Sequence, residues 1–214
     1  MPNVLLNHEK GIWKKSVAST NNYLKENKIE QGSWISADEQ TEGRGRKGRS
    51  WNSFGEDKII FSGKIRFEKV KFPVSLFSLL TGCAVLKTLI QSAPEIENDL
   101  QLKWPNDIYR NGNKIAGILI ECEQEGEILD AIVGIGVNLF GKSIPDDLKN
   151  GGFLLDKKPT DEFKKKLIEN LINALNEAVV LVGDEKSIGK EIAFAFEKSY
   201  LRGKEIKAIQ NQKI

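Results

Sequence analysis

Between Glu39 and Trp51 the sequence runs EQTEGRGRKGRSW, with four basic side chains and three glycines in the seven positions from Gly43 to Arg49. Arg44, Arg46, Lys47 and Arg49 would repel one another unless an anion sat among them. Arginine offers planar, bidentate donors suited to carboxylate and phosphate. Gly43, Gly45 and Gly48 open backbone conformations closed to other residues and let a ligand approach the main chain. A loop that is hard to hold still when empty and folds around a phosphorylated ligand has both properties. A solvated basic turn and a nucleic-acid tether of the arginine-glycine type are the competing readings. Strand-like segments flank the loop closely, which suits a lid built into a sheet better than a tether.

A second cluster lies in KWPNDIYRNGNKIAGILIE. Asn106 and Asp107 follow a proline at a strand end, and Lys114 stands at the start of the next strand across a hairpin. Pairing could bring Lys114 near Trp104 to Asp107, so that an ammonium, an amide and a carboxylate share one end of a sheet. Lysine there could neutralise an acid, and Asp107 could hold Mg²⁺ or orient the lysine; a turn-capping aspartate is the alternative. Third is GIGVNLF, from Gly134 to Phe140. A dinucleotide fingerprint would need glycine where Leu139 stands. Gly134 and Gly136 inside a strand point instead to close approach of a flat or bulky group, or to packing against a helix. No GxxxxGK[ST] is present, so a P-loop is excluded.

The elements that must position these residues follow from periodicity and capping. With 214 residues and 32 basic against 30 acidic side chains, one sizeable core is expected and bulk attraction to a polyanion is not. The first residues carry charge within every short apolar run, so neither a signal peptide nor a membrane span is expected there. Cys83 and Cys122 sit in apolar runs without metal-ligand spacing, which suggests buried thiols in a cytoplasmic protein without structural zinc. His8, the single histidine, has no partner pattern and reads as a surface residue, so a histidine triad is not expected. Ser19 and Thr20 cap a short helix. SWISADEQ and KIIFSGKIRF alternate as strands around the basic loop. The apolar run from Pro73 to Pro94 predicts a central buried helix. The run from Asp99 to Phe140 predicts a meander of antiparallel strands, turned at Asn111-Gly112 and Glu125-Gly126, with later strands deeper in the sheet. Thr160 caps a helix whose stripe of Phe163, Leu167, Leu171, Leu175, Val179 and Val182 should lie on the sheet, and Gly183 stops it. A last helix from about Lys186 to Tyr200 leads into a lone strand-like tail.

STNNYL, EQTEGRGRKGRSW, KWPNDIY, NKIAGILIE and GIGVNL, in that order, resemble the successive blocks of the biotin protein ligases, from about Ile12 to Phe140. The resemblance implies an α+β catalytic domain with a mixed, mainly antiparallel central sheet packed on helices, related to class II aminoacyl-tRNA synthetase folds. It implies activation of biotin with Mg-ATP to biotinyl-5′-AMP, then transfer to a lysine of an acceptor such as the biotin carboxyl carrier protein. By motif position, Lys114, Arg46 and Arg44 would be catalytic. Ser19, Thr20, Asn21, Gln40, Gly43, Arg44, Gly45, Arg46, Lys114 and Gly117 would meet biotin, and Arg46, Trp51, Asn106, Lys114 and Asn138 would meet ATP. Asp107 would be the metal candidate.

The sequence departs from the family at Glu42, where a small residue is usual. The resembling pattern starts near residue 12, so a monofunctional enzyme without DNA repression is expected. The expected organisation is a catalytic domain over 1–200 and a short tail over 201–214, remnant of the family's small C-terminal barrel. A homodimer through an exposed sheet edge is a further expectation. A lipoate or octanoate ligase is the rival enzyme, and a nucleic-acid-binding module using the basic loop is the rival of another class.

Overall fold

Alternation of apolar and polar residues in the strands builds a seven-stranded sheet with two unequal faces. The computed structural model describes residues 3–51, 53–148 and 150–205. In chain order the elements are β1 Gly11–Val17, α1 Thr20–Glu26, β2 Trp34–Gln40, β3 Asp57–Phe67, α2 Val74–Ser92, β4 Leu100–Lys103, β5 Asp107–Arg110, β6 Asn113–Glu125, β7 Ile128–Phe140, α3 Asp161–Leu181 and α4 Glu185–Glu197. The strand order is β1-β2-β3-β7-β6-β5-β4. Only β1 and β2 run parallel, joined through α1, and the remaining neighbours are antiparallel. This is the mixed, mainly antiparallel sheet expected. The meander climbs from the edge strand β4 to β7 beside β3, as its rising apolar content suggests.

One face carries the main core. Phe61, Ile65 and Phe67 of β3 and Val133, Ile135 and Val137 of β7 are buried against α2 and α3. The opposite face carries Ile60, Ser62, Gly134, Gly136 and Asn138 by strand alternation, and of the described helices α1 alone covers part of it. Leu24 of α1 packs there on Ile35 and Ile132 in a small second core. Ser19 caps α1, its hydroxyl accepting from the Asn22 amide, and Thr160 caps α3 by accepting from the Phe163 amide.

Helix α2 is long and apolar enough to cross a membrane by composition alone, but half of that segment is buried inside the fold. Phe77, Leu80, Val85, Leu86 and Leu89 make it the central helix of the core. Helix α3 differs from the expectation: it packs chiefly on α2 and meets the sheet mainly at β3. Its buried set includes Ile168 and Ile172 beside Leu167, Leu171 and Leu175, a stripe wide enough to bury itself on another helix. Cys83 is buried and Cys122 half-buried, both as free thiols; burial pushes the Cys83 thiol up to about 12 and the Cys122 thiol up to about 11.

The two sheet edges are unlike. At β4, the Leu102 amide donates to Lys198 O and Leu102 O accepts from the Tyr200 amide, at 2.8 and 2.9 Å, so the segment after α4 occupies this edge. Tyr200 then packs on Tyr109, ring centroids 4.5 Å apart. At the other edge Trp13 of β1 is 57% exposed, resting edge-on against Trp34. The tail expected after Gly203 lies, from residue 206 onward, outside the described residues.

Leu171 is fully buried in the α2–α3 core. Leu171→Ala should lower unfolding free energy by about 2–5 kcal/mol, read as a lower denaturant midpoint with an unchanged slope.

Candidate active site

The sheet face left open by α1 becomes a cleft because three of its positions lack side chains. Gly134 and Gly136 of β7 stand beside Gly117 of β6, which pairs with Gly136. A Cβ on Gly134 would lie 2.3 Å from Asn21 Oδ1, and one on Gly136 would lie 2.3 Å from Trp51 Nε1. A Cβ on Gly117 would also strike the Trp51 ring. These glycines therefore admit a helix residue at one end of the floor and a flat aromatic ring at the other, the two alternatives the sequence left open.

The cavity above this floor has a volume of about 260 Å³. It brings together Ser19, Thr20, Asn21, Gln40, Arg44, Gly45, Arg46, Trp51, Asn106, Asp107, Lys114 and Gly117. At its inner end polar groups are buried and paired. Gln40 Oε1 accepts from the Thr20 amide at 2.8 Å and from its hydroxyl at 3.1 Å. Ser62 Oγ donates to Asn21 Oδ1 at 2.6 Å and lies 2.8 Å from Thr20 Oγ1. Asn21 Nδ2 donates to Glu121 Oε2 at 2.7 Å.

At the other end stands the cationic group. Lys114 Nζ is 2.6 Å from Asp107 Oδ1. That oxygen is buried and makes no hydrogen bond, so the contact is an ion pair whose direction lies off the hydrogen-bonding geometry. The ammonium also lies 5.0 Å from the Trp51 ring centre, within cation–π range. A β-bulge puts the lysine there. Asp107 and Ile108 pair with Gly117 and Ala116, whereas Tyr109 pairs with Lys114, so Ile115 is an extra residue. Ile115 and Ala116 both face the helix-side core. Regular alternation would have sent Lys114 to that side with Ala116 and Ile118; the bulge turns it to the face of Gly117. Its main chain is fixed further by Asn150 O and the Gly152 amide, at 2.7 and 2.9 Å.

The basic segment is folded back on itself rather than left open. Trp51 N donates to Gly43 O at 2.8 Å and Gly45 N to Arg49 O at 2.7 Å, with Lys47 and Gly48 in the left-handed region at the turn. Arg44 Nη2 donates to both Glu121 oxygens at 2.9 Å and to Asn22 Oδ1. Arg46 Nη1 donates to Asn106 Oδ1 at 3.2 Å. Neutral and acidic neighbours thus take up part of the charge that the sequence leaves unbalanced.

Two predicted residues lie outside this cavity. Gly43 sits beneath it, where a Cβ would strike Trp51 O and the Gln40 amide. Asn138 is buried and lines a second hollow of about 470 Å³ with Ser50, Trp51, Phe54, Tyr109, Lys114 and Gly151. Trp51 and Lys114 belong to both cavities. Among the described residues no group of three or more His, Cys, Asp or Glu side chains gathers to hold a metal ion. Asp107 brings one carboxylate, already facing an ammonium.

Sequence reasoning did not single out Ser62 or Glu121. Ser62 had a signal, a hydroxyl in the middle of the apolar strand KIIFSGKIRF. Glu121 had none, since it ends an apolar run as a solvated charge would.

Residues 13–138 match the model of the biotin/lipoate A/B protein ligase family, and the chain belongs to that family. It is 37% identical over 138 residues to the bifunctional ligase/repressor BirA of Bacillus spizizenii, covering 63% of this chain and 42% of that one. It is 40% identical over 106 residues to the biotin–[acetyl-CoA-carboxylase] ligase of Mycobacterium tuberculosis, covering 48% and 38%. The matches thus span about two fifths of the length of these curated relatives. The structure of the biotin protein ligase from Aquifex aeolicus in complex with biotin and ATP superposes with a TM-score of 0.77 and 31% identity, over 96% of this chain and 85% of that one.

Gly136→Ala should displace the Trp51 ring and cost about 1–3 kcal/mol of stability, detected as a shift in tryptophan emission together with a lower denaturation midpoint.

Proposed function

We propose that this chain is an ATP-dependent biotin protein ligase. The observation that carries the reading is the pair of cavities meeting at Trp51 and Lys114: one is walled by buried amides and hydroxyls, the other by aromatic side chains and Asn138. The first suits biotin, whose ureido ring offers donors and acceptors to Thr20, Asn21 and Gln40. The dithiolane of lipoate offers none and would leave the remaining hydrogen-bonding capacity of those groups unmet, at a cost in affinity. The second hollow suits the adenosine of ATP, with Trp51 and Asn138 beside it. The Aquifex aeolicus neighbour was solved with biotin and ATP, which supports the same pairing here.

In the first step a biotin carboxylate oxygen attacks the α-phosphorus, the bond to the bridging oxygen breaks, and pyrophosphate leaves with its electrons. Biotinyl-5′-AMP remains. In the second, a neutral lysine amine of the acceptor attacks the acyl carbon, AMP departs, and the amide forms with loss of one proton. The difficulty of the first step is Coulombic, because two anions must meet. Lys114 stands at the junction of the cavities and would bind the carboxylate and the α-phosphate together. Arg46 would follow the phosphates, its one side-chain hydrogen-bond partner among the described residues being the neutral Asn106, and Arg44 would hold the loop over biotin. These groups act by charge and position, so no protein nucleophile is required. The turn from Gly43 to Trp51 would keep water from the adenylate.

Magnesium belongs to this reading as MgATP, a substrate. A lone carboxylate suits a magnesium site completed by phosphate oxygens, but the ion pair at Asp107 supports the role of orienting Lys114 more directly. The acceptor in this reading is the biotin carboxyl carrier protein of an acetyl-CoA carboxylase, the carboxylase being the acceptor in the name of the Mycobacterium tuberculosis relative. The cytoplasm is the compartment this reading assigns, and DNA repression is not part of it. Two copies, if they pair through sheet edges, would use β1, because the segment after α4 already occupies β4. Against a nucleic-acid tether, Arg44 and Arg46 turn inward to Glu121 and Asn106 rather than outward in a row.

Pyrophosphate release from MgATP should show a stoichiometric burst with biotin and none with lipoate or without acid, in the absence of acceptor. Lys114→Ala and Arg46→Ala should each cut that burst rate by about 10²-fold or more with the fold retained. Near-normal rates in both would displace the reading of the site, and a burst with lipoate alone would favour the rival ligase.

A further inference from the structure

Glu121 stands behind the first cavity rather than in it, yet two cavity residues end on its carboxylate. Asn21 Nδ2 donates to Oε2 at 2.7 Å, and Arg44 Nη2 donates to Oε1 and Oε2 at 2.9 Å each. Both consequences are chemical. A carboxylate only accepts, so Asn21 must turn its nitrogen toward Glu121 and its oxygen toward Ser62, where Oγ donates at 2.6 Å. The orientation of an amide set closely over Gly134 is thereby fixed. Arg44 is engaged through one terminus: its contacts to Glu121 and Asn22 all run through Nη2. Among the described residues its Nε and Nη1 make no hydrogen bond, and guanidinium has five N–H groups to share. The neighbouring carboxylate on this face, Glu123, is taken by Lys25 at 2.6 Å, so it does not compete. The Glu121 side chain is 29% exposed, which limits its freedom to wander from both partners.

We propose that Glu121 is a positioning residue for acid binding: it sets the donor–acceptor sense of Asn21 and the free edge of Arg44, without itself touching the ligand. This rests on the biotin reading above. The effect should fall on biotin and not on the nucleotide, because neither Asn21 nor Arg44 lines the hollow assigned to adenosine.

Glu121→Gln keeps the shape but removes the charge and offers Asn21 an amide that no longer dictates its orientation. Calorimetric titration with biotin alone should give a dissociation constant raised about tenfold, the scale of one lost charged hydrogen bond. In steady-state pyrophosphate release the KM for biotin should rise by a similar factor, with the KM for MgATP changed less than about twofold. Glu121→Asp, which retains an acceptor-only group, should recover part of the lost affinity. Wild-type affinity in the Gln variant, equal rises in both KM values, or an Asp variant as weak as Gln would each overturn the inference. Absence of biotin binding by the wild-type protein would instead remove the biotin reading itself, and this inference with it.

Discussion

A cleft lined with ammonium and guanidinium groups must fold before any anion arrives to balance them, and like charges at such separations repel. In this protein each of three cations rests on a resident partner: Lys114 on Asp107, Arg44 on Glu121, Arg46 on Asn106. The partners differ in kind. Two are carboxylates and hold their cations in place, while the third is a neutral amide that orients a guanidinium and leaves its charge uncompensated. Partial exposure of these pairs keeps their net contribution to stability small. Their value lies in geometry, since a positioned charge needs little reorganisation when a reaction begins.

The same strands serve two environments because strand side chains alternate. Phe61 and Ile135 bury against the helices while Ile60 and Gly134 face the cleft, one residue away along the chain. The layer of α2 and α3 on one side therefore fixes the positions of the cleft residues on the other. Helix α1 is short, and it is held by its Ser19 cap and a small apolar patch around Leu24; its contribution to the site is correspondingly local, through Thr20 and Asn21 at its first turn.

Much of this was legible in the sequence where the determinant is local. Asn111-Gly112 takes positive φ at both positions and makes the hairpin it announces, which brings Lys114 and Asp107 to one end of the sheet. Gly134 and Gly136 announced a close approach, and the groups that approach are Asn21 and Trp51. What the sequence could not carry was set by partners distant along the chain. The face on which Lys114 emerges depends on the extra residue Ile115, whose type is that of any core strand. Glu121 is distinguished only by Asn21 and Arg44, which lie 100 and 77 positions earlier. The preference of α3 for α2 over the sheet reflects the width of its apolar stripe against competing surfaces, and a single-helix pattern does not rank those surfaces.

The bulge at Ile115 has a consequence for how this region can vary. Strand register has a period of two, so a change of one residue exchanges the faces of everything beyond it. Between the Asn111-Gly112 turn and the floor at Gly117, chemistry is therefore encoded partly as a count. Side chains along this stretch can be exchanged for others of similar bulk, whereas gaining or losing a single residue would deliver the ammonium into the apolar interior. Indels there should be rarer than substitutions among working variants, a constraint on length that no single side chain carries.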